Sequence, residues 1–261
     1  MVELVKTPTL ETFMNLVKNC DHEMILCAPF IKNQIICDII QNKKSCSKMT
    51  VITASNISNF IQSSSDLSAI KTLLKHNVTV INYQDLHAKI YLFDSAKALI
   101  TSANLTYSGM NHNYEYGVLI DKDEKSMEQI EKDFIEMLDS KFASEFDSIK
   151  IEDIEKTISK IEKSHYFIKE INGENTLIVD DLESIFSTMT PWQKDIFVII
   201  SSLNNEFSLK EIYEFKNILS KKHPKNNNIE AKTRQILQQL RDMGLVKFTR
   251  SGRYKKLFLQ K

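Results

Sequence analysis

His87 and Lys89 stand two residues apart in LHAKIYLFD, so on an extended strand both side chains project to one face. Ser102 and Asn104 repeat that spacing at the end of the next apolar run, KALITSAN, and Glu115 follows in YEYGVLI. Converging strand ends can present an imidazole, an ammonium, a hydroxyl, an amide and a carboxylate to one point. The imidazole serves as nucleophile or acid–base group, while the ammonium, hydroxyl and amide neutralise or hydrogen-bond anionic oxygens. Asp94 is the sixth candidate, and its position also suits a turn or a structural ion pair. Tyr114 and Tyr116 flank Glu115 and are expected to pack in the core.

These positions need strands to hold them. MILCAPFI, MTVITA, VTVINY, AKIYLF, KALITSA and YEYGVLI read as strands, and TLETFMNLVKN, NQIICDIIQN and DLSAIKTLLKH as helices. Residues 1–120 therefore show an α/β pattern. Residues 121–186 form a more acidic segment, in which Met127, Ile130, Phe134, Ile135 and Leu138 make one apolar helix face. It is expected to pack on the core and link it to residues 187–261. There Thr190-Pro191 opens the helix PWQKDIFVIISSLN. Ser208 and Glu211 make a capping box before LKEIYEFKNILSK, and NIEAKTRQILQQLRDM ends at Gly244. LVKFT and YKKLFLQ alternate as two strands around Arg250-Ser251-Gly252-Arg253. Three helices and a basic β-ribbon are the plan of a winged helix.

The chain carries 34 Lys+Arg and 34 Asp+Glu, and a net charge of 0 taken alone argues against a nucleic-acid partner. Its distribution reverses that reading. Residues 187–261 hold 15 basic and 6 acidic side chains, a net of +9, which leaves −9 on the remainder. All four arginines lie in the last 28 residues. Arginine's planar fork suits phosphate and guanine edges, so the C-terminal part is expected to meet nucleic acid. The 121–164 stretch, net −6, reads as a solvated packing helix or, more sharply, as a shield over the candidate site.

A hydrophobic content of 42% excludes general disorder, and no G-x-x-x-x-G-K-[ST] or G-x-G-x-x-G phosphate loop occurs. No apolar run approaches the roughly 18 residues of a membrane span. The N-terminus lacks a secretory pattern, and Cys20, Cys27, Cys37 and Cys46 lack zinc-ligand spacing. The expected setting is cytoplasmic, with neither metal nor cofactor.

His87-x-Lys89-x4-Asp94 followed by Thr101-Ser102-Ala103-Asn104 resembles the phospholipase D superfamily motif, H-x-K-x4-D then G-S-x-N. The spacing on to Glu115 resembles that of its bacterial nuclease branch. Thr101 is the one departure, standing where that family usually has Gly. The resemblance implies a phospholipase D-like mixed sheet with flanking helices. It also implies a mechanism in which neutral His87 attacks phosphorus to form a phosphohistidine. Lys89, Ser102 and Asn104 stabilise the phosphoryl oxygens, and Glu115 accepts the other ring N–H. A second histidine must protonate the leaving oxygen and then activate water. His22, His76, His112 and His165 each lack a lysine two positions on, and these four and His223 are each expected to be a surface or core residue. The second imidazole is then His87 of another copy, brought close by two-fold symmetry, and the two rings titrate as a coupled pair.

The C-terminal part resembles the winged-helix domain of Dam-replacing, methyladenine-directed restriction endonucleases. The matching stretches are Thr190-Pro191-Trp192-Gln193, His223-Pro224-Lys225-Asn226-Asn227, Ala231-Lys232-Thr233-Arg234-Gln235, Leu240-Arg241-Asp242-Met243-Gly244 and Gly252-Arg253-Tyr254. In the third helix Ile229, Thr233, Ile236, Leu237 and Leu240 make the buried stripe. The other face offers Asn228, Lys232, Arg234, Gln235, Gln238, Gln239 and Arg241 to base edges and phosphates. Arg250, Arg253, Lys255 and Lys256 of the wing suit phosphate contacts. Trp192, at the start of the first helix, is expected in the core, with methyl sensing as the sharper alternative.

The expected protein is a homodimeric, metal-independent type II restriction endonuclease acting on double-stranded DNA at a site related to N6-methyladenine. Two other classes remain open: a DNA-binding regulator with a non-catalytic dimerisation domain, and a phospholipase. Plasmid cleavage separates the first from the regulator, and lipid release from vesicles would favour the phospholipase.

Overall fold

The computed structural model describes residues 2–54, 56–121, 124–162, 166–171, 174–179, 182, 185 and 189–260. The chain divides into two compact units, 1–55 with 63–148, and 56–62 with 149–261.

In the first unit, strands β1 (Val2–Lys6), β2 (Glu23–Cys27), β3 (Lys48–Thr53), β4 (Thr79–Tyr83), β5 (Ile90–Phe93), β6 (Lys97–Thr101), β7 (Tyr116–Asp121) and β8 (Ala143–Glu145) make one mixed sheet. Its order is β1-β7-β6-β5-β2-β3-β4-β8. β2, β3 and β4 pair in parallel, whereas β5 runs antiparallel to β2 and continues as a meander into β6 and β7. Helices α1 (Leu10–Asn19) and α2 (Asn33–Asn42) bury Phe13, Val17, Ile35, Ile36 and Ile39. The Phe13 ring meets Tyr91 edge-on at 5.1 Å. Cys27, Ile52, Leu92 and Ala98 instead cluster with Met127 and Phe134 of α5 (Glu124–Leu138). Central strands buried on both faces read as continuous apolar runs, which is why six of the eight were legible.

Within α5, Met127 and Phe134 are buried, but Ile135 and Leu138 are 61% and 36% exposed. The apolar face is therefore narrower than expected, because Met127, Ile130, Phe134 and Met137 fill the available sheet surface. α5 completes the first unit, so a domain limit at residue 120 divides elements that fold together. The expected limit at 186/187 lies outside the described residues. α4 (Leu67–Lys75) completes the helices of this unit.

The second unit takes in α3 (Ile57–Ile61) and α6 (Ser148–Ile161). Strands β9 (Tyr166–Ile171) and β10 (Glu174–Val179) form a hairpin, and β14 (Phe258–Gln260) joins β10 in parallel. The winged helix comprises α7 (Pro191–Ser202), β11 (Glu206–Ser208), α8 (Leu209–Tyr213), α9 (Lys216–Lys222), α10 (Ile229–Asp242), β12 (Val246–Arg250) and β13 (Arg253–Lys256). The expected capping box of Ser208 with Glu211 forms, and the expected N-cap Thr190 is completed into a second box by Gln193. The run LKEIYEFKNILSK breaks after Tyr213 into two short helices. YKKLFLQ splits likewise: β13 stays in the wing sheet with β11 and β12, while β14 leaves it for β10. Gly244 ends α10 at φ +73°, and a Cβ there would sit 2.3 Å from Cβ of Asn56, so both backbone and space demand glycine. No described helix is long and apolar enough to cross a membrane.

Candidate functional site

His87 and Lys89 lie in the stretch leading into β5 rather than within the strand, which begins at Ile90. The ladder still reaches them, because the Thr101 N–H donates to the Lys89 carbonyl at 3.1 Å. The His87 ring is exposed, whereas Lys89 is only 8% exposed. Lys89 Nζ donates to the His87 carbonyl at 2.7 Å and lies 3.4 Å from Nδ1 of the same residue. Burial lowers the Lys89 pKa, and the Glu115 carboxylate opposes that shift.

Ser102 and Glu115 meet directly: the Ser102 hydroxyl donates to Glu115 Oε2 and accepts the Tyr116 N–H at 3.1 Å. Asn113 Nδ2 donates to Glu115 Oε1 at 3.2 Å. The Glu115 carboxylate thus engages Ser102 and Asn113, not the His87 ring for which it was expected. Thr7, at the end of β1, fixes the Glu115 backbone from both sides. Its hydroxyl accepts the Glu115 N–H at 2.9 Å, and its own N–H donates to the Glu115 carbonyl at 3.1 Å. Sequence reading missed both β1 and Thr7. The only available signal was the alternation in VELVK.

Asn104 accepts the Phe30 N–H at 3.3 Å through Oδ1, and its NH2 group has no protein partner among the described residues. Its loop is pinned by the Tyr91 hydroxyl, which donates to the Ala103 carbonyl at 2.7 Å. The motif's departure at Thr101 has a local answer. Thr101 pairs across the sheet with Gly117, where an added Cβ would come within 2.8 Å of the threonine Cβ. The missing side chain at Gly117 makes room for the one at Thr101. Tyr114 and Tyr116 are 86% and 48% exposed, contrary to their expected place in the core, because they lie at the uncovered end of the sheet beside edge strand β1.

Asp94 stands apart from this cluster. It follows β5 at the end opposite His87, separated by roughly 20 Å of extended chain at about 3.3 Å per residue. Its carboxylate accepts the N–H groups of Asp21 (2.7 Å), His22 (2.7 Å) and Glu23 (2.9 Å). Partial burial would raise its pKa, but these N–H bonds outweigh that and bring it down to about 2. The folded pKa lies below the unfolded one, so this stabilisation is complete above about pH 4 and disappears as pH falls through 2. Asp94→Ala is expected to cost about 1–2 kcal/mol in urea denaturation at pH 7, with the difference from wild type shrinking at pH 3. Activity per folded molecule should be unchanged.

The expected buried stripe of α10 is buried, from Ile229 through Leu240. Of the opposite face, Asn228, Arg234, Gln235 and Gln238 are exposed, and Lys232 and Gln239 are half-buried. Asn228 also caps the helix by accepting the Ala231 N–H at 3.1 Å. Arg234 donates to the Tyr213 hydroxyl at 2.8 Å, Lys232 to Gln235 at 2.9 Å, and Gln239 accepts from Gln193 at 3.2 Å.

Two expected DNA contacts are internal. Arg241, 7% exposed, donates twice to Asp242, and its guanidinium lies 4.9 Å from the Phe248 ring centroid. Lys256, 6% exposed, donates to the carbonyls of Ser201 and Leu203 at the end of α7. Both satisfy buried polar groups, a role that charge counting cannot distinguish from phosphate binding. Arg250 and Arg253 are exposed and Lys255 is half-buried. Trp192 is half-exposed, with its indole stacked on His223 at a centroid distance of 3.9 Å. His165 lies outside the described residues.

A phospholipase D-like mixed sheet with flanking helices, followed along the chain by a winged helix, is the fold class that these features define. Residues 13–138 match the family described as "Cardiolipin synthase, PLD-like domain", and residues 189–256 the "Dam-replacing HTH domain". Among solved structures, the chain is similar to Nuc, a phospholipase D family member from Salmonella typhimurium. The identity is 15%, covering 57% of this chain and 99% of Nuc, with a TM-score of 0.49. NucT from Helicobacter pylori is 20% identical over 54% of this chain and 96% of its own, with a TM-score of 0.46. A curated relative, DISARM protein DrmC from Bacillus paralicheniformis, is 47% identical over 38 residues, 15% of this chain and 16% of DrmC.

Proposed function

We propose that this chain is a DNA endonuclease of the restriction type, hydrolysing phosphodiesters through a phosphohistidine on His87. The observation that carries this reading is the cluster at the ends of β5, β6 and β7. It offers an exposed imidazole beside a largely buried ammonium, with Ser102, Asn104 and Glu115 supplied by neighbouring strand ends. An ammonium can only donate, so Lys89 beside Nδ1 favours a proton-free nitrogen on that side of the ring. An entering phosphate competes for Lys89, and Ser102 and the Asn104 amide complete the set of donors to its oxygens.

The imidazole attacks phosphorus, forming an N–P bond as the P–O bond to the leaving strand breaks. A second imidazole gives its proton to the departing oxygen, then removes one from the water that cleaves N–P. That imidazole is His87 of a second copy, so the active species is a two-fold dimer. Lys89 supplies the positive charge, and the reaction as written uses no metal ion. Residues 189–256 bring the domain to DNA through α10 and the β12–β13 wing, at a site related to N6-methyladenine.

One digestion tests this. Plasmid prepared with and without adenine methylation is incubated with the full chain in EDTA, and the ends are mapped. Discrete cuts in EDTA that depend on methylation are expected. Cleavage only with added divalent metal would overturn the mechanism, and identical patterns on both plasmids would overturn the methyladenine reading.

A further inference from the structure

We infer that the C-terminal winged helix holds a seat for a single nucleotide, beside the groove-facing surface of α10 and sharing Lys232 with it. A cavity of about 490 Å³ opens beside the start of α10, lined by Trp192, Lys222, His223, Lys225, Asn226 and Lys232. This lies within the roughly 300–1,000 Å³ of small-molecule sites and is larger than a lone phosphate needs.

Its walls have two characters. One is aromatic: the Trp192 indole and His223 imidazole are stacked at 3.9 Å with an interplanar angle of 16°. Asp195 holds the imidazole from behind, with Oδ2 2.8 Å from His223 Nε2. The platform is therefore fixed before a ligand arrives, which reduces the ordering cost of binding. The other wall is cationic. Asp195 also pairs with Lys222, whereas Lys232 donates to the neutral Gln235 and has no carboxylate partner among the described residues. Lys225, on the loop before α10, is exposed at the cavity. A flat π surface beside ammonium groups is chemistry for a nucleobase carrying a phosphate: the base extends the stack and the phosphate meets Lys225 and Lys232.

The nucleotide comes either as an unpaired base of a DNA strand or as a free nucleoside monophosphate. The first source rests on the reading of this domain as DNA-binding, and the second does not.

Trp192 is the chain's only tryptophan, so its emission reports on this cavity alone. The full chain is titrated with adenosine 5′-monophosphate, with inorganic phosphate, and with three labelled duplexes: fully paired, carrying one unpaired adenine, and carrying an abasic site at that position. Adenosine monophosphate is expected to quench the emission where phosphate at equal concentration does not. Stronger quenching by the unpaired-adenine duplex than by the other two identifies DNA as the source, and equal quenching by all three identifies the free nucleotide. Lys225→Gln is expected to weaken adenosine monophosphate binding about fivefold or more, and Trp192→Ala to remove the preference for the unpaired adenine in anisotropy. Failure of adenosine monophosphate to quench, or equal quenching by phosphate, overturns the seat. The paired duplex followed by anisotropy reports separately on DNA binding, so loss of that signal counts against the domain reading and not against the cavity.

Discussion

His87→Ala is expected to lower plasmid cleavage by about 10⁴-fold or more while leaving the melting temperature unchanged. The imidazole is exposed, so its removal opens no cavity, and surface changes of this kind stay within about 0.5 kcal/mol. Catalysis loses both the nucleophile and, if two copies share a site, the acid that protonates the leaving oxygen. Mixing separates the two roles. Dimers assembled from one wild-type and one His87→Ala subunit retain a single ring, so they should fall far below half of wild-type activity. Half activity from mixed dimers would mean that each copy carries a complete site, and full activity in His87→Ala itself would remove the mechanism. Lys89→Met keeps the buried stem but loses the charge, and should cost about 10²–10³-fold, chiefly in kcat.

Asp242→Ala is expected to destabilise the second unit by about 3–5 kcal/mol, the largest stability effect anticipated outside the apolar core. Asp242 is 4% exposed, and its Oδ1 accepts Arg241 Nε at 3.0 Å and a terminal guanidinium nitrogen at 2.7 Å. Its Oδ2 lies 2.9 Å from Lys150 Nζ of α6. Removing the carboxylate takes a shared counter-charge from the buried Arg241 and from Lys150, whose side chain is 26% exposed. Arg241→Ala should then resemble a DNA-contact mutant in a binding assay for a different reason, since its loss of affinity will track its loss of thermal stability. Arg234→Ala, at an exposed position on the same helix, should weaken DNA binding without moving the melting temperature. A stable Asp242→Ala protein, or an Arg241→Ala protein that melts normally yet fails to bind, would assign Arg241 to the interface after all.

The same helix shows where sequence reading is sound and where it stops. The stripe Ile229, Thr233, Ile236, Leu237 and Leu240 was legible because 3.6-residue periodicity is a local property. So were the N-cap at Thr190 and the capping box at Ser208, whose partners are three residues away. Arg241 has the same charge as Arg234 and lies on the side that periodicity leaves for solvent, yet β12 packs over it and brings Phe248 to its guanidinium. Tyr114 and Tyr116 failed in the opposite sense. An aromatic beside a strand is core only if another layer covers that end of the sheet.

At the candidate site, the residues themselves were written in the sequence: His87, Lys89, Ser102, Asn104 and Glu115 are set by type and by two-residue spacing, which a strand end converts into a shared direction. The pairing of those groups was not. Glu115 rests on Ser102 and on Thr7, which is 108 positions away, and Asp94 serves three N–H groups more than 70 positions earlier. Neither Thr7 nor residues 21–23 carry a local mark of that partnership. A hydrogen bond between distant segments depends on which strands become neighbours, and only the order β1-β7-β6-β5-β2 decides that. Sequence alone therefore determined which chemistry this protein can attempt, because side-chain type and local spacing are intrinsic to the chain. Tertiary structure decided which polar groups face one another and which charges are internal, because burial and long-range pairing exist only once the sheet has closed around them.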